Sequence, residues 1–176
     1  MKTAAILLVL AAPMFAFSQS PPAVGDPAPV FALPYATRDS IAHSPLRLQD
    51  KLGKGPVIVA FYPADWSPGC TKEVCSLRDD FERLAELKAT ILPISGDYVF
   101  SHHEWAKFQN LPFPLLSDHF HAVARAYGSY NAETGFNKRT VFLLNSAGRI
   151  AYEDLNYSVA NGSDFQRLKE ALAALK

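Results

Sequence analysis

Cys70 and Cys75 are the only two thiols in the chain, five positions apart in the stretch Ser67-Pro68-Gly69-Cys70-Thr71-Lys72-Glu73-Val74-Cys75. Ser67 followed by Pro68 is an N-cap and N1 pair, so a helix starts there and Cys70 falls in its first turn. The unsatisfied N–H groups and the positive end of the macrodipole in that turn favour a thiolate, which makes Cys70 a candidate nucleophile. Cys70 also precedes Val74 by four residues, on the stripe that should face a sheet. In an intact helix Cys75 is rotated by about 140° and stands about 8.6 Å away between Cα atoms. A disulfide needs Cα atoms within about 7 Å, so the two sulfurs can join only if the helix unwinds. Two Cys exclude a disulfide-dense scaffold and a four-thiolate zinc site.

These residues need an element that brings them to one end of a sheet. Val57, Ile58, Val59, Ala60, Phe61 and Tyr62 form a continuous β-rich apolar run, the pattern of a central strand buried on both faces. The helix after it runs from Pro68 to Leu87, through Val74, Leu77, Phe81 and Leu84. Ile91 to Ser95 is a further strand; Ser101 to Gln109 and Phe120 to Tyr127 read as helices, with Phe113 to Leu116 extended between them. Thr140 to Leu144 and Ile150 to Leu155 are strands joined at Asn145-Ser146-Ala147-Gly148, and Ser163 to Leu175 closes as an amphipathic helix. Gln19 to Pro45, rich in Pro, Ala and Ser, is an extended lead-in with a short strand at Val30, Phe31 and Leu33 and room for an edge hairpin. This order predicts an α/β fold of the thioredoxin-like class, a single domain over 19–176; an open doubly wound sheet would need more βα units.

The chain has 176 residues, 17 basic against 17 acidic, with 49% hydrophobic and 19% charged residues. That composition belongs to a folded domain rather than a disordered chain. A pI near 7.0 without a Lys/Arg cluster gives no electrostatic ground for nucleic-acid or anionic-lipid binding. Lys2 precedes an uncharged run from Thr3 to Phe17, with Ala16 and Ser18 at the positions a signal peptidase reads, so residues 1–18 are expected to be a signal peptide cleaved after Ser18. The run is short of a membrane span, Pro13 interrupts it, and no Cys follows it for lipid attachment. The mature protein is therefore expected to be exported, periplasmic or secreted, where a thiol pair meets oxidising conditions.

Pro63-x-x-x-Ser67-x-x-Cys70 resembles the active-site motif of the peroxiredoxins (AhpC/TSA family), and Cys75 matches the resolving position of the atypical two-cysteine, bacterioferritin-comigratory-protein or PrxQ-like subgroup. The resemblance extends to Gly25-Asp26-Pro27-Ala28-Pro29-Val30-Phe31, Phe113-Pro114-Leu115-Leu116-Ser117-Asp118 and Arg139-Thr140-Val141-Phe142-Leu143-Leu144. It implies a peroxiredoxin variant of the thioredoxin-like fold and a peroxidase acting on hydrogen peroxide and organic hydroperoxides. By the same resemblance Cys70 is peroxidatic, Cys75 resolving, Ser67 the hydroxyl partner, Pro63 a shield over the pocket and Arg139 the guanidinium that meets thiolate and peroxide. Glu73 matches a position that orients the arginine. Ser67 stands where the family more often has Thr, keeping the hydroxyl but losing the methyl that restricts its rotamer. A thioredoxin-like donor would recycle the disulfide, and the protein would be a monomer or homodimer.

The chemistry fits those roles. A thiolate attacks one peroxide oxygen while the other leaves with growing negative charge, so the site needs an activated sulfur and donors aimed at both oxygens, supplied here without a metal or organic cofactor. An exported thiol-disulfide oxidoreductase is the first alternative, yet it would use Cys-x-x-Cys. A copper-binding protein on the same fold is the second, and Arg139 beside its metal would oppose it. His102, His103, His119 and His121 are expected to be solvated rather than ligands. Trp105 is expected to pack, and Trp66 to pack, line the pocket or form a dimer face. Asn156-Tyr157-Ser158 and Asn161-Gly162-Ser163 have the form of glycosylation sequons.

Overall fold

The computed structural model describes residues 20–80, 84, 86, 88–158, 160 and 162–175. The expected signal peptide lies outside them, as do Phe81, Leu87 and Asn161. The elements are β1 (Ala32–Leu33), β2 (Tyr35–Ala36), β3 (Leu46–Arg47), a 3₁₀ turn (Leu48–Asp50), β4 (Val57–Phe61), α1 (Pro68–Asp79), β5 (Thr90–Ser95), α2 (Val99–Phe108), β6 (Leu115–Ser117), α3 (Ala122–Ala126), β7 (Thr140–Leu144), β8 (Ile150–Asp154) and α4 (Gly162–Ala173).

The apolar run at Val57 is the centre of a six-stranded sheet in the order β2-β6-β5-β4-β7-β8. β4 runs parallel to β5 and antiparallel to β7. Alternate residues of each strand divide between two cores, as the period of two requires. Ile58, Ala60, Ile91, Val141 and Leu143 pack with Val74 and Leu77 of α1, Trp105 of α2, and Leu168 and Leu172 of α4. Val57, Val59, Phe61, Leu92, Ile94, Phe142 and Leu144 pack on the other face with Phe31, Leu33, Leu46, Ala124 and Tyr127. Burying both faces is what permits an uninterrupted apolar strand, and it gives the α/β thioredoxin-like architecture.

Several boundaries differ from the sequence reading. The lead-in does more than extend: β1 pairs antiparallel with β3, and β2 joins the main sheet beside β6. α1 ends at Asp79, with Asp80 in a turn, instead of running unbroken toward Leu87. α2 starts at Val99, two residues before the expected Ser101. The strand expected over Phe113 to Leu116 sits at Leu115–Ser117, and Phe113 is a core residue ahead of it. The helix expected from Phe120 begins only at Ala122, because His121 has a left-handed backbone (φ 53°). Asp118 instead turns the chain, its Oδ2 accepting the Ala124 N–H at 2.7 Å.

One register matters for the site. Phe61 at the end of β4 pairs with Thr140 at the start of β7. Since the strands are antiparallel, the residue before β7 arrives where the chain leaves β4 for α1. That residue is Arg139.

Candidate active site

Ser67 caps α1 with an extended backbone (φ −74°, ψ 143°) and Pro68 follows as the first helical residue. The Ser67 hydroxyl accepts the Cys70 N–H at 3.3 Å and donates to the Ala64 carbonyl at 3.4 Å. The Ser67 carbonyl accepts from the Thr71 hydroxyl at 2.9 Å. Cys70 is buried in the same core as Val74 and Leu77, on the inward stripe its spacing predicted.

Arg139 completes the site from the opposite strand. Its Nη2 donates to Cys70 Sγ at 3.1 Å, and its Nη1 donates to Glu73 Oε2. A guanidinium can only donate, so the Cys70 sulfur is the acceptor in this contact. Glu73 is buried and its Oε1 has no hydrogen-bond partner among the described residues. Burial pushes the Glu73 carboxyl up to about 7 against the downward pull of Arg139. Burial pulls the Arg139 guanidinium down, and Glu73 and the Cys70 sulfur more than offset it, leaving it above its ordinary value. A Cβ at Gly69 would lie 2.8 Å from Arg139 Nη2, so any larger residue before Cys70 would require the guanidinium to shift from its place beside the sulfur.

Cys75 has a different setting. It is half-buried, and its Sγ donates to Gln109 Oε1 at 3.4 Å. Burial pushes its thiol up, partly offset by Arg78, whose Nη1 holds the Gln109 carbonyl at 2.8 Å. Both Cys are free thiols and α1 is intact between them.

The structure thus brings Ser67, Cys70, Glu73 and Arg139 together. Pro63 stands half-buried in the loop leaving β4. Trp66 faces away from the core: it is 52% exposed, with its ring 5.7 Å from that of Phe108 and its indole N–H on Ser101 Oγ at 3.2 Å. Trp105 is the buried packing tryptophan. The expectation of solvated histidines fails at His102, which is fully buried with Nδ1 2.9 Å from Asp65 Oδ2. His103, His119 and His121 each turn a ring nitrogen to a separate oxygen, on Thr37, Gly96 and Asn137. Gly69, Asp65 and Gln109 escaped the sequence reading. Gly69 and Asp65 had a signal in lying inside the motif; Gln109 had none.

The AhpC/TSA family model matches residues 24–153. Peroxiredoxin Bcp of Bacillus subtilis is 36% identical over 137 residues, covering 74% of this chain and 83% of that protein. Among solved structures, peroxidoxin BcpB of Mycobacterium tuberculosis superposes with a TM-score of 0.76 at 31% identity, over 87% of this chain and 97% of the other. The bacterioferritin comigratory protein of Xanthomonas campestris, characterised for alkyl peroxide reduction, gives a TM-score of 0.72 at 26% identity, over 83% and 92% of the two chains.

Proposed function

The chain belongs to the AhpC/TSA family and is a thiol peroxidase of the Bcp/PrxQ kind, and from that premise we propose that Cys70 is its peroxidatic residue and Cys75 its resolving one. The observation that carries the assignment is the Arg139 guanidinium 3.1 Å from a buried sulfur in the first turn of a capped helix.

The Cys70 thiolate attacks one peroxide oxygen. The O–O bond breaks, the distal oxygen takes a proton and departs as water or an alcohol, and Cys70 is left as a sulfenic acid. Arg139 and the Cys70 N–H, held by Ser67, are the donors placed to stabilise the charge moving across the two oxygens. α1 then unwinds, the Cys75 thiolate attacks the sulfenic sulfur, and water leaves as the disulfide forms. An external dithiol reduces that disulfide by two exchanges and becomes a disulfide itself. A thioredoxin-like protein fits this last role, and organic hydroperoxides join hydrogen peroxide as substrates, in line with the activity of the Xanthomonas protein. The Lys2 to Ser18 pattern supports export to the periplasm or beyond.

Stopped-flow tryptophan fluorescence against micromolar peroxide tests the assignment. Cys70→Ser abolishes the fast phase. Cys75→Ser keeps it and blocks turnover with a dithiol donor. A fast phase that survives Cys70→Ser overturns the assignment.

A further inference from the structure

The mechanism makes no use of a buried polar cluster that lies beside the peroxidatic loop. Asp65, two residues before Ser67, has a fully buried side chain, as does His102. Its carboxylate accepts from the Tyr62 hydroxyl at 2.8 Å, the Ser101 hydroxyl at 2.7 Å, and His102 Nδ1 at 2.9 and 3.2 Å. The carboxylate only accepts, so Nδ1 carries the hydrogen. The Asp65 N–H donates to Asp97 Oδ2 at 2.9 Å, and Asp97 is itself held by the Ser95 hydroxyl at 2.7 Å.

These partners follow β4, follow β5 and lie on α2; none is on α1. The loop they hold is strained: Trp66 has φ 61°, which a bulky side chain adopts only where its surroundings impose it. Ser101 serves both sides of that strain, donating to Asp65 while accepting from the Trp66 indole. The loop in turn sets the Ala64 carbonyl, which accepts from the Ser67 hydroxyl, and through it the hydroxyl that accepts the Cys70 N–H.

We propose that Asp65 and His102 are positioning residues that tether the Pro63–Ser67 loop to α2, so that the donors around Cys70 stay placed while α1 opens and closes in each turnover. The inference rests on the peroxidase reading. It separates two steps that a loss of overall stability would move together: attack on peroxide needs the tether, whereas closure of the disulfide needs only that α1 unwinds.

The test uses the full chain with two readouts, the second-order rate constant of Cys70 oxidation and the first-order rate of disulfide closure. His102→Leu removes the donor and is expected to slow oxidation about tenfold while leaving closure within about twofold. His102→Asn puts an amide N–H where Nδ1 stood and is expected to recover oxidation to within about threefold of wild type. Iodide quenching of Trp66, the exposed tryptophan, rises in the leucine variant and returns in the asparagine one. If His102→Leu does not fold, Ser101→Ala decides, with oxidation slowed about threefold. Wild-type oxidation and quenching in every folded variant overturns the tether. Absence of a fast phase in the wild-type protein overturns the peroxidase reading instead.

Discussion

The loop before Ser67 and the helix after it are consecutive in the chain and held in opposite ways. The loop is fastened through Asp65 by polar bonds to the adjoining Tyr62, to Asp97 after β5, and to Ser101 and His102 on α2. The helix is fastened by a stripe of apolar contacts at Cys70, Val74 and Leu77 and by Arg139 gripping Cys70 and Glu73. Directional bonds preserve one geometry, and each buried one left unmade is costly. Contacts along a single stripe can be surrendered turn by turn. On the proposed mechanism, a site that holds a nucleophile still and then releases it has a mainly polar fastening before Ser67 and a mainly apolar one after it, with Arg139 as the polar grip on the helix.

The harshest challenge to that contrast is Arg139→Ala, which removes the helix-side grip. Cys70 oxidation is expected to slow by about 10²–10³-fold, measured by stopped flow, with the tether and Trp66 quenching unchanged. A loss below about tenfold would mean that the helix end alone activates the sulfur.

Gly69→Ala sharpens the contrast by moving the same guanidinium without deleting it. The added methyl meets Nη2 at 2.8 Å, so oxidation is expected to fall about tenfold. Alanine nonetheless suits a helix better than glycine by up to about 1 kcal/mol, so the urea midpoint should hold or rise. Activity and stability falling together would show that the methyl damages the helix rather than the arginine.

Glu73→Gln probes the weakest point of the helix side. The Glu73 carboxyl is raised from an ordinary 4.5 to about 7. Between those values the folded state binds a proton that the unfolded chain has lost, so this group makes stability fall as pH rises through the window. At about 1.4 kcal/mol per pH unit the effect is at most about 3 kcal/mol. Urea midpoints at pH 5 and pH 8 should differ less in the variant than in wild type; equal differences would remove Glu73 from the account.

The central strand, the capped helix and the inward direction of Cys70 were legible because each follows from local patterning over a dozen residues. The placing of Arg139 beside Cys70 was legible only through the resemblance, since nothing local joins it to a thiol 69 positions earlier; the β4–β7 register does. His102 was misjudged for the same reason, because its partner Asp65 is 37 positions away and a histidine on a short helix carries no local sign of burial. Trp66 shows a different limit. A left-handed tryptophan goes against backbone preference, and only the tertiary bonds around Asp65 and Ser101 reveal why it is tolerated.

The pairing of Phe61 with Thr140 also bears on when the molecule becomes reactive. Cys70 leaves the ribosome long before Arg139, so a nascent chain carries the thiol without its guanidinium. A slip of one residue in β7 would turn Arg139 to the opposite face of the sheet. On the proposed mechanism, full peroxide reactivity therefore requires β7 to be paired with β4 in its proper register.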